Sequence, residues 1–153
     1  MLEARSIIHI DDFDFNNGQP IKGRYFIILD ENEETSLVLS VVTSQNYIPD
    51  ALFKHGCINE PELNIHSYIL TKTTEIGEGG FKFSKDSFIY IQSSTVYEQD
   101  LSKLMKVYPA ESIDLKDKMK QAEYEDLIYC VYKSKRISKK IKARMTVILE
   151  RIQ

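Results

Sequence analysis

An arginine and a threonine stand at the ends of two neighbouring apolar segments and could act together on a phosphate group. Lys22 and Arg24 begin the segment that ends at residue 29, and Thr43, Ser44 and Gln45 end the segment that starts at residue 36. A guanidinium and a hydroxyl held close together can hold a phosphate and stabilise its charge during transfer. A closed sheet would bring the two segment ends to one rim. The alternative is that Arg24 is an ordinary surface residue at the start of a strand.

A second candidate is the basic run from Lys133 to Arg144, which holds seven basic side chains and no acidic one in a chain of net charge -3. Clustered positive charge on one helix face can bind phosphates, so Lys139, Lys140 and Lys142 are candidate RNA contacts. No aromatic residue lies among these charges, which argues against base stacking on this element. The alternative is a solvated helix face.

The histidines and cysteines do not form a recognisable metal motif. His55, Cys57 and His66 offer one His-x-Cys step and one distant histidine, whereas zinc sites use close ligand pairs. The second cysteine, Cys130, lies far from the first, and both have apolar neighbours, so two reduced, buried thiols are predicted. We expect no metal and no cofactor, because dinucleotide and phosphate-binding glycine motifs are also missing from the sequence.

Length and composition indicate one globular domain in a reducing compartment. The chain has 153 residues, of which 42% are hydrophobic and 28% are charged. Its first residues include an acid and no long apolar run, unlike a signal peptide. No segment approaches the roughly 18 apolar residues that a membrane helix needs. A cytoplasmic protein without membrane association is expected.

The candidate residues are positioned by a strand-rich first two-thirds of the chain and a helical last third, an α+β protein. Short apolar or aromatic runs predict strands at 6–10, 23–29, 36–43, 65–71, 81–83 and 87–91, with an irregular segment at 45–63. Tight connections between several short strands are typical of a small barrel or rolled sheet. Residues 1–108 are therefore assigned to a barrel and 109–153 to a helical extension packed on it.

Three helices are predicted in the last third. A short helix is expected at 100–106, and Asp114 is a plausible N-cap for a helix that continues to Tyr132. A further helix should begin near Ser134 or Ser138, because apolar residues then recur at spacings of three and four. These residues are Ile137, Ile141, Met145, Ile148 and Ile152.

The order of several segments resembles the PemK/MazF toxins (Kid/CcdB-like barrels) of bacterial toxin–antitoxin systems. The matching stretches are IIHIDDFDFNNG, IKGRYFIIL, LVLSVVTSQ and FIYIQSSTVYEQDLSKL, which together cover roughly residues 5 to 105. In the family they correspond to a strand with a D-F-like end, a glycine-containing loop, a K-x-R-P start of an apolar strand, a strand ending in T-S, and a late Q-x-R-T-V-D segment.

The resemblance implies an SH3-like barrel that dimerises, pairs with an antitoxin protein and cleaves single-stranded RNA without a metal. It implies that Arg24 stabilises the negative charge developing on the scissile phosphate. Thr43, with Ser44, would donate hydrogen bonds to phosphate or sugar.

The chain departs from the family pattern where an acid or base is needed. Tyr25 replaces the family's proline, Ser94 its late arginine, and apolar Ile91 falls near a carboxylate used by some members. Cleavage through the 2′-hydroxyl needs a base and an acid. Asp12, Asp14 and His66 are the substitutes that the sequence offers.

Three hypotheses follow from these residues. The first is a PemK/MazF-like toxin that acts as an endoribonuclease, with single-stranded RNA, an antitoxin and a second copy of the chain as partners. The second is a non-catalytic barrel that binds RNA or a protein. The third is a structural protein of unknown partner.

Overall fold

A computed structural model describes residues 2–31, 35–43 and 46–152. It confirms an α+β protein, with eight strands and three α-helices in the described residues. The elements are β1 (Ser6–Phe13), β2 (Lys22–Glu31), β3 (Ser36–Thr43), β4 (Gly56–Glu60), β5 (Ile65–Leu70), β6 (Ser87–Tyr90), β7 (Val96–Gln99), α1 (Leu101–Val107), β8 (Ile113–Lys118), α2 (Gln121–Tyr132) and α3 (Lys139–Ile152).

All strands belong to one antiparallel sheet. Its order is β4-β5-β6-β3-β2-β1-β8, and β7 pairs with β3 beside this path. Among the described residues β4 and β8 do not pair with each other, so the sheet is open and the expected closed barrel is not confirmed. The apolar strand β3 joins the two halves, because it pairs with β2 and β7 along its first part and with β6 at its end.

Several predicted boundaries were wrong. Residues 113–118 form β8 rather than the first turn of a helix capped by Asp114, and α2 begins only at Gln121. The sheet thus extends past residue 108. β4 lies in the segment predicted to be irregular, β7 was not predicted, and residues 81–83 lie in a loop rather than a strand. β8 forms because it pairs with β1, and β7 forms because it pairs with β3; a local sequence pattern does not contain either distant partner.

Both faces of the sheet are covered. The main core lies between one face and the helices α2 and α3, and includes Ile27, Leu127 and Met145. The second core lies on the other face beside α1, and includes Phe26 and Leu104. Because successive side chains of a strand point to opposite faces, the position of a residue in a strand tells which core it faces.

The two cysteines form a disulfide, which corrects the prediction of two reduced thiols. Cys57 on β4 and Cys130 on α2 are 73 residues apart in the sequence, and their Cα atoms are 5.7 Å apart. The packing of α2 against β4 brings them together, and neither spacing nor flanking residues indicate it. The cysteines therefore no longer favour a reducing compartment. Within the described ranges, no helix combines the length and the apolar character required to span a bilayer.

Candidate nucleic-acid interface

Arg24 lies on β2 opposite Ile10 of β1, on the face of the second core. Its guanidinium carbon is 5.1 Å from the centre of the Phe15 ring, and Nη2 donates a hydrogen bond to the Pro20 carbonyl at 3.2 Å. Among the side-chain atoms that the structure describes, Nε of Arg24 is buried and has no hydrogen-bond partner. Burial also lowers the pKa of Arg24. The side chain is thus a partly desolvated cation with an unused donor.

Phe15, the ring that Arg24 contacts, lines an open cavity of about 260 Å³, which we call the aromatic groove. It is formed where the chain leaves β1 and where α1 crosses the second core. The residues that matter for its chemistry are Phe13, Asp14, Phe15, Tyr97, Lys103 and Tyr108.

Contacts between its aromatic rings hold the groove in shape. Phe13 packs edge-on against Phe15 at 4.8 Å between ring centres and stacks on Tyr108 at 5.4 Å. The Asp14 N–H donates to the Tyr108 hydroxyl at 2.9 Å. On the opposite side, Asp100 caps α1 by accepting hydrogen bonds from the first backbone N–H groups of the helix. The groove is therefore built from interlocked side chains rather than from a free loop.

This arrangement suits a single-stranded nucleic acid. Aromatic faces bind unpaired bases by stacking, and neighbouring cations bind the phosphates. Arg24 and Lys103 supply the positive charge. The Asp14 carboxylate, which accepts a hydrogen bond from the Asn16 N–H at 2.8 Å, is a general-base candidate within the same groove.

Thr43 does not face this groove. The register pairs Tyr25 with Val41, and both contact the main core. Successive residues of a strand point to opposite faces, so Arg24, one residue before Tyr25, lies on the same face as Phe26 of the second core. Thr43 is two residues after Val41 and therefore lies on the face of the main core, as Val41 does. The two strand ends are neighbours because β2 and β3 pair antiparallel, not because the sheet closes, and the two side chains lie on opposite faces of the sheet.

The other residues predicted beside them divide in two groups. Lys22 is exposed, pairs with Phe13 across β1 and β2, and shares the alternation of Arg24, so it lies near the aromatic groove. Ser44 and Gln45, predicted to follow Thr43 in an RNA-binding segment, lie outside the described residues.

The basic helix α3 uses much of its charge within the protein. Lys140 pairs with Glu98 at 3.0 Å. Lys142 lies 5.1 Å from the centre of the Tyr132 ring and close to the Ser134 carbonyl. Lys139 is exposed. Since two of the three predicted RNA contacts have intramolecular partners, α3 is a weaker phosphate surface than its sequence suggests.

Arginines of the same helix bind acids of the sheet. Arg144 contacts Asp30 and Glu98 at 3.4 and 3.2 Å, and Arg151 contacts Asp30 at 2.9 Å. Asp30 is 7% exposed, so this group of charges attaches α3 to β2 and β7. The positive run thus offsets acidic residues of the sheet.

A second polar cluster joins α2 to the sheet. His55 Nε2 is 2.9 Å from both carboxylate oxygens of Glu123, which also accepts a hydrogen bond from the buried Tyr68 hydroxyl. His55 Nδ1 accepts from the Thr71 N–H at 3.2 Å. Both ring nitrogens of His55 are therefore engaged within the protein, and the cluster is a structural tie rather than a catalytic centre.

The electrostatics of Glu123 agree with that role. Burial acts to raise the pKa of Glu123, but the hydrogen bonds from His55 and Tyr68 outweigh it, and the pKa lies below its ordinary value. Burial, reinforced by Glu123, raises the pKa of Tyr68 well above its usual range, so its hydroxyl stays a donor.

Sequence reasoning missed most of the aromatic groove. Tyr108 is 94 residues from Asp14, its hydrogen-bond partner, and no local signal joins them. Phe13 and Phe15 stand two apart directly after a predicted strand, and this spacing of aromatic residues is a signal that could have been used.

Comparisons with known proteins do not supply a function. A scan of protein-family models finds no match to the chain, and a search of curated proteins finds none either. The PemK/MazF resemblance thus stays a prediction.

Proposed function

We propose that this chain binds single-stranded RNA in the aromatic groove and cleaves it without a metal, as a PemK/MazF-like toxin. The observation that carries the proposal is the state of Arg24. Its guanidinium lies against Phe15 beside the groove, and its buried Nε has no partner among the described atoms. Because the guanidinium is partly desolvated, a phosphate at its outer Nη groups is attracted more strongly than by a fully solvated surface arginine.

Binding would combine stacking with charge. Unpaired bases stack on Phe15 and Tyr108, while Arg24, Lys22 and Lys103 contact phosphates. Stacking on an aromatic side chain contributes about 1–3 kcal/mol per base. Because the chain has a net charge of -3, long-range attraction is weak and the affinity depends on these local cations.

Cleavage would proceed by attack of the RNA 2′-hydroxyl on the adjacent phosphorus. The Asp14 carboxylate takes the proton of that hydroxyl while the new oxygen–phosphorus bond forms, and Arg24 stabilises the charge on the phosphate oxygens. The bond from phosphorus to the 5′-oxygen breaks, and that oxygen takes a proton from the Tyr108 hydroxyl. The products are a 2′,3′-cyclic phosphate and a 5′-hydroxyl, and the proton on Asp14 returns to Tyr108 through solvent.

Induced expression in a bacterial host, followed by incubation of the purified chain with an unstructured RNA, tests this function. The wild-type chain is expected to arrest growth and to cleave the RNA in the presence of a chelator. Arg24→Ala should reduce cleavage by about 100-fold or more, the usual effect of removing one charge-stabilising donor. Asp14→Asn should relieve growth arrest as well.

Thr43→Val provides the matched control, because Thr43 is adjacent to the same strand end but faces the main core. It should arrest growth like the wild type. A wild-type chain that neither arrests growth nor cleaves RNA would contradict the enzymatic proposal, and so would an Arg24→Ala chain as active as the wild type.

The second candidate is a non-catalytic module that holds RNA or a protein in the same groove. In the toxin family that the chain resembles, the residues matching Arg24 and Thr43 would both act on one phosphate. Because Arg24 and Thr43 lie on opposite faces of the sheet, they cannot do so here, and this favours the second candidate, binding without cleavage. RNA binding without cleavage would select it. The toxin proposal also implies an antitoxin partner, a homodimer, an SH3-like barrel and a cytoplasmic location. Each of these stays a prediction.

A further inference from the structure

A cluster of three metal-ligating side chains lies between the sheet and α2, away from the aromatic groove. Cys57, His66 and Cys130 each offer one ligand atom, and these atoms all lie within 4.8 Å of one another. His66 Nε2 is 4.0 Å from the Cys57 sulfur. Ligand atoms around a tetrahedral zinc ion lie about 3–4 Å apart, so only small movements separate this cluster from a coordination shell.

The secondary structure explains why the three residues meet. β4 and β5 pair so that Cys57 is opposite Tyr68 and Asn59 is opposite His66. Cys57 and His66 are therefore diagonal neighbours on the face that α2 covers. Cys130 lies on the side of α2 that packs against this face. His66 is 8% exposed, so its ring is buried beside the two cysteines.

We propose that, once its disulfide is reduced, the chain binds a zinc-class divalent ion through Cys57, Cys130 and His66. A dithiol reductant supplies two electrons and two protons to the sulfur–sulfur bond and is itself oxidised to a disulfide. The two thiols then lose their protons to solvent as both sulfurs coordinate the ion. The inference does not depend on the proposed RNA function.

Charge balance favours such a site. One divalent ion with two thiolates and a neutral imidazole carries no net charge. Arg136 and Lys133 lie close enough to act electrostatically on His66, and they stabilise thiolates without opposing the neutral, loaded site.

A fourth coordination position would open toward solvent on the Cys57 side of the cluster. A cavity of about 380 Å³ is lined by Cys57 together with Lys54, Glu60 and Lys133. Three protein ligands with a solvent-accessible fourth position are typical of reactive zinc sites, whereas structural zinc sites use four protein ligands. The cluster therefore fits an exchangeable ion rather than a permanent one.

Cobalt titration of the full chain, reduced with a phosphine and kept free of oxygen, tests the inference. The reduced wild type should develop a thiolate-to-cobalt charge-transfer absorption that saturates at one ion per chain and is abolished by zinc. The oxidised wild type should show none. His66→Gln should weaken binding by at least about 10-fold, since even outer partners of metal ligands contribute 10- to 100-fold.

His9→Gln is the matched control, because His9 lies on a different strand and takes no part in the cluster. It should bind cobalt like the wild type. Circular dichroism before the titration establishes that each variant is folded. Reduced, folded wild type without the charge-transfer band would overturn the inference, and so would His66→Gln with undiminished affinity.

Discussion

Glu123→Ala is expected to lower the free energy of unfolding by about 3–5 kcal/mol. The carboxylate is 12% exposed and accepts hydrogen bonds from His55 and from Tyr68, which is 1% exposed. Alanine removes these bonds and leaves a buried hydroxyl without its acceptor. Urea denaturation at neutral pH measures the loss.

The same side chain gives a pH dependence with a defined sign. Although burial acts to raise the pKa of Glu123, its hydrogen bonds hold that pKa below the unfolded value. The stabilisation is therefore complete above the unfolded pKa and is lost as the pH falls through the folded pKa. Wild-type stability should decline on acidification below about pH 4.5, and Glu123→Ala should lack that part of the decline.

Asp126→Ala is the control for Glu123, because Asp126 is an exposed acid on the same helix. A surface acid of this kind usually changes stability by less than about 0.5 kcal/mol. If Glu123→Ala and Asp126→Ala unfold at the same urea concentration, α2 is not tied to the sheet in the way described.

Replacing both Cys57 and Cys130 by alanine is expected to lower the free energy of unfolding by about 2–4 kcal/mol. The disulfide joins residues 73 positions apart, so it removes many conformations from the unfolded chain. Urea denaturation of the oxidised wild type and the double variant, both with a chelator, measures the difference.

Reduction of the wild type in the same buffer is the control for the disulfide. It should bring the wild type close to the double variant, because both lack the cross-link and the chelator prevents metal binding. Equal unfolding midpoints for the oxidised wild type and the double variant would show that the bond does not stabilise the fold.

Local patterns predicted the elements whose signal lies within one segment. The recurrence of Ile141, Met145 and Ile148 at helical spacing indicated α3, and all of these residues are buried. The short helix at 100–106 is also confirmed, with Asp100 as its N-cap. The continuous apolar and aromatic runs were equally sufficient to predict β2 and β3.

The β8 strand shows where such patterns fail. Leu115 and Met119 are four apart, which fits a helical face, and Asp114 could cap that helix. The segment also alternates as a strand does, and pairing with β1 decides between the two. That pairing joins residues more than 100 positions apart, such as Ile7 and Asp117, so it depends on the tertiary structure.

The candidate site was predictable only in part. The sequence indicated Arg24, but its separation from Thr43 depends on a strand register that single segments do not reveal. The Cys57–Cys130 bond and the contact between Asp14 and Tyr108 likewise join distant segments. Residue types and spacing suggested a phosphate-binding site, but the register of the sheet determines which of those residues lie on the same face.

The most direct test of the central claim is the affinity of the aromatic groove for a short, fluorescently labelled, 2′-O-methylated RNA, measured by anisotropy across a range of salt concentrations. The 2′-O-methyl groups prevent cleavage, so binding is measured alone. Affinity should fall steeply with salt, and Arg24→Gln should flatten that dependence by about one phosphate contact. Phe15→Ala should lose about 1–3 kcal/mol of stacking, whereas Lys139→Gln should change little. Salt-independent binding, or equal affinity for the wild type, Arg24→Gln and Phe15→Ala, would contradict the account.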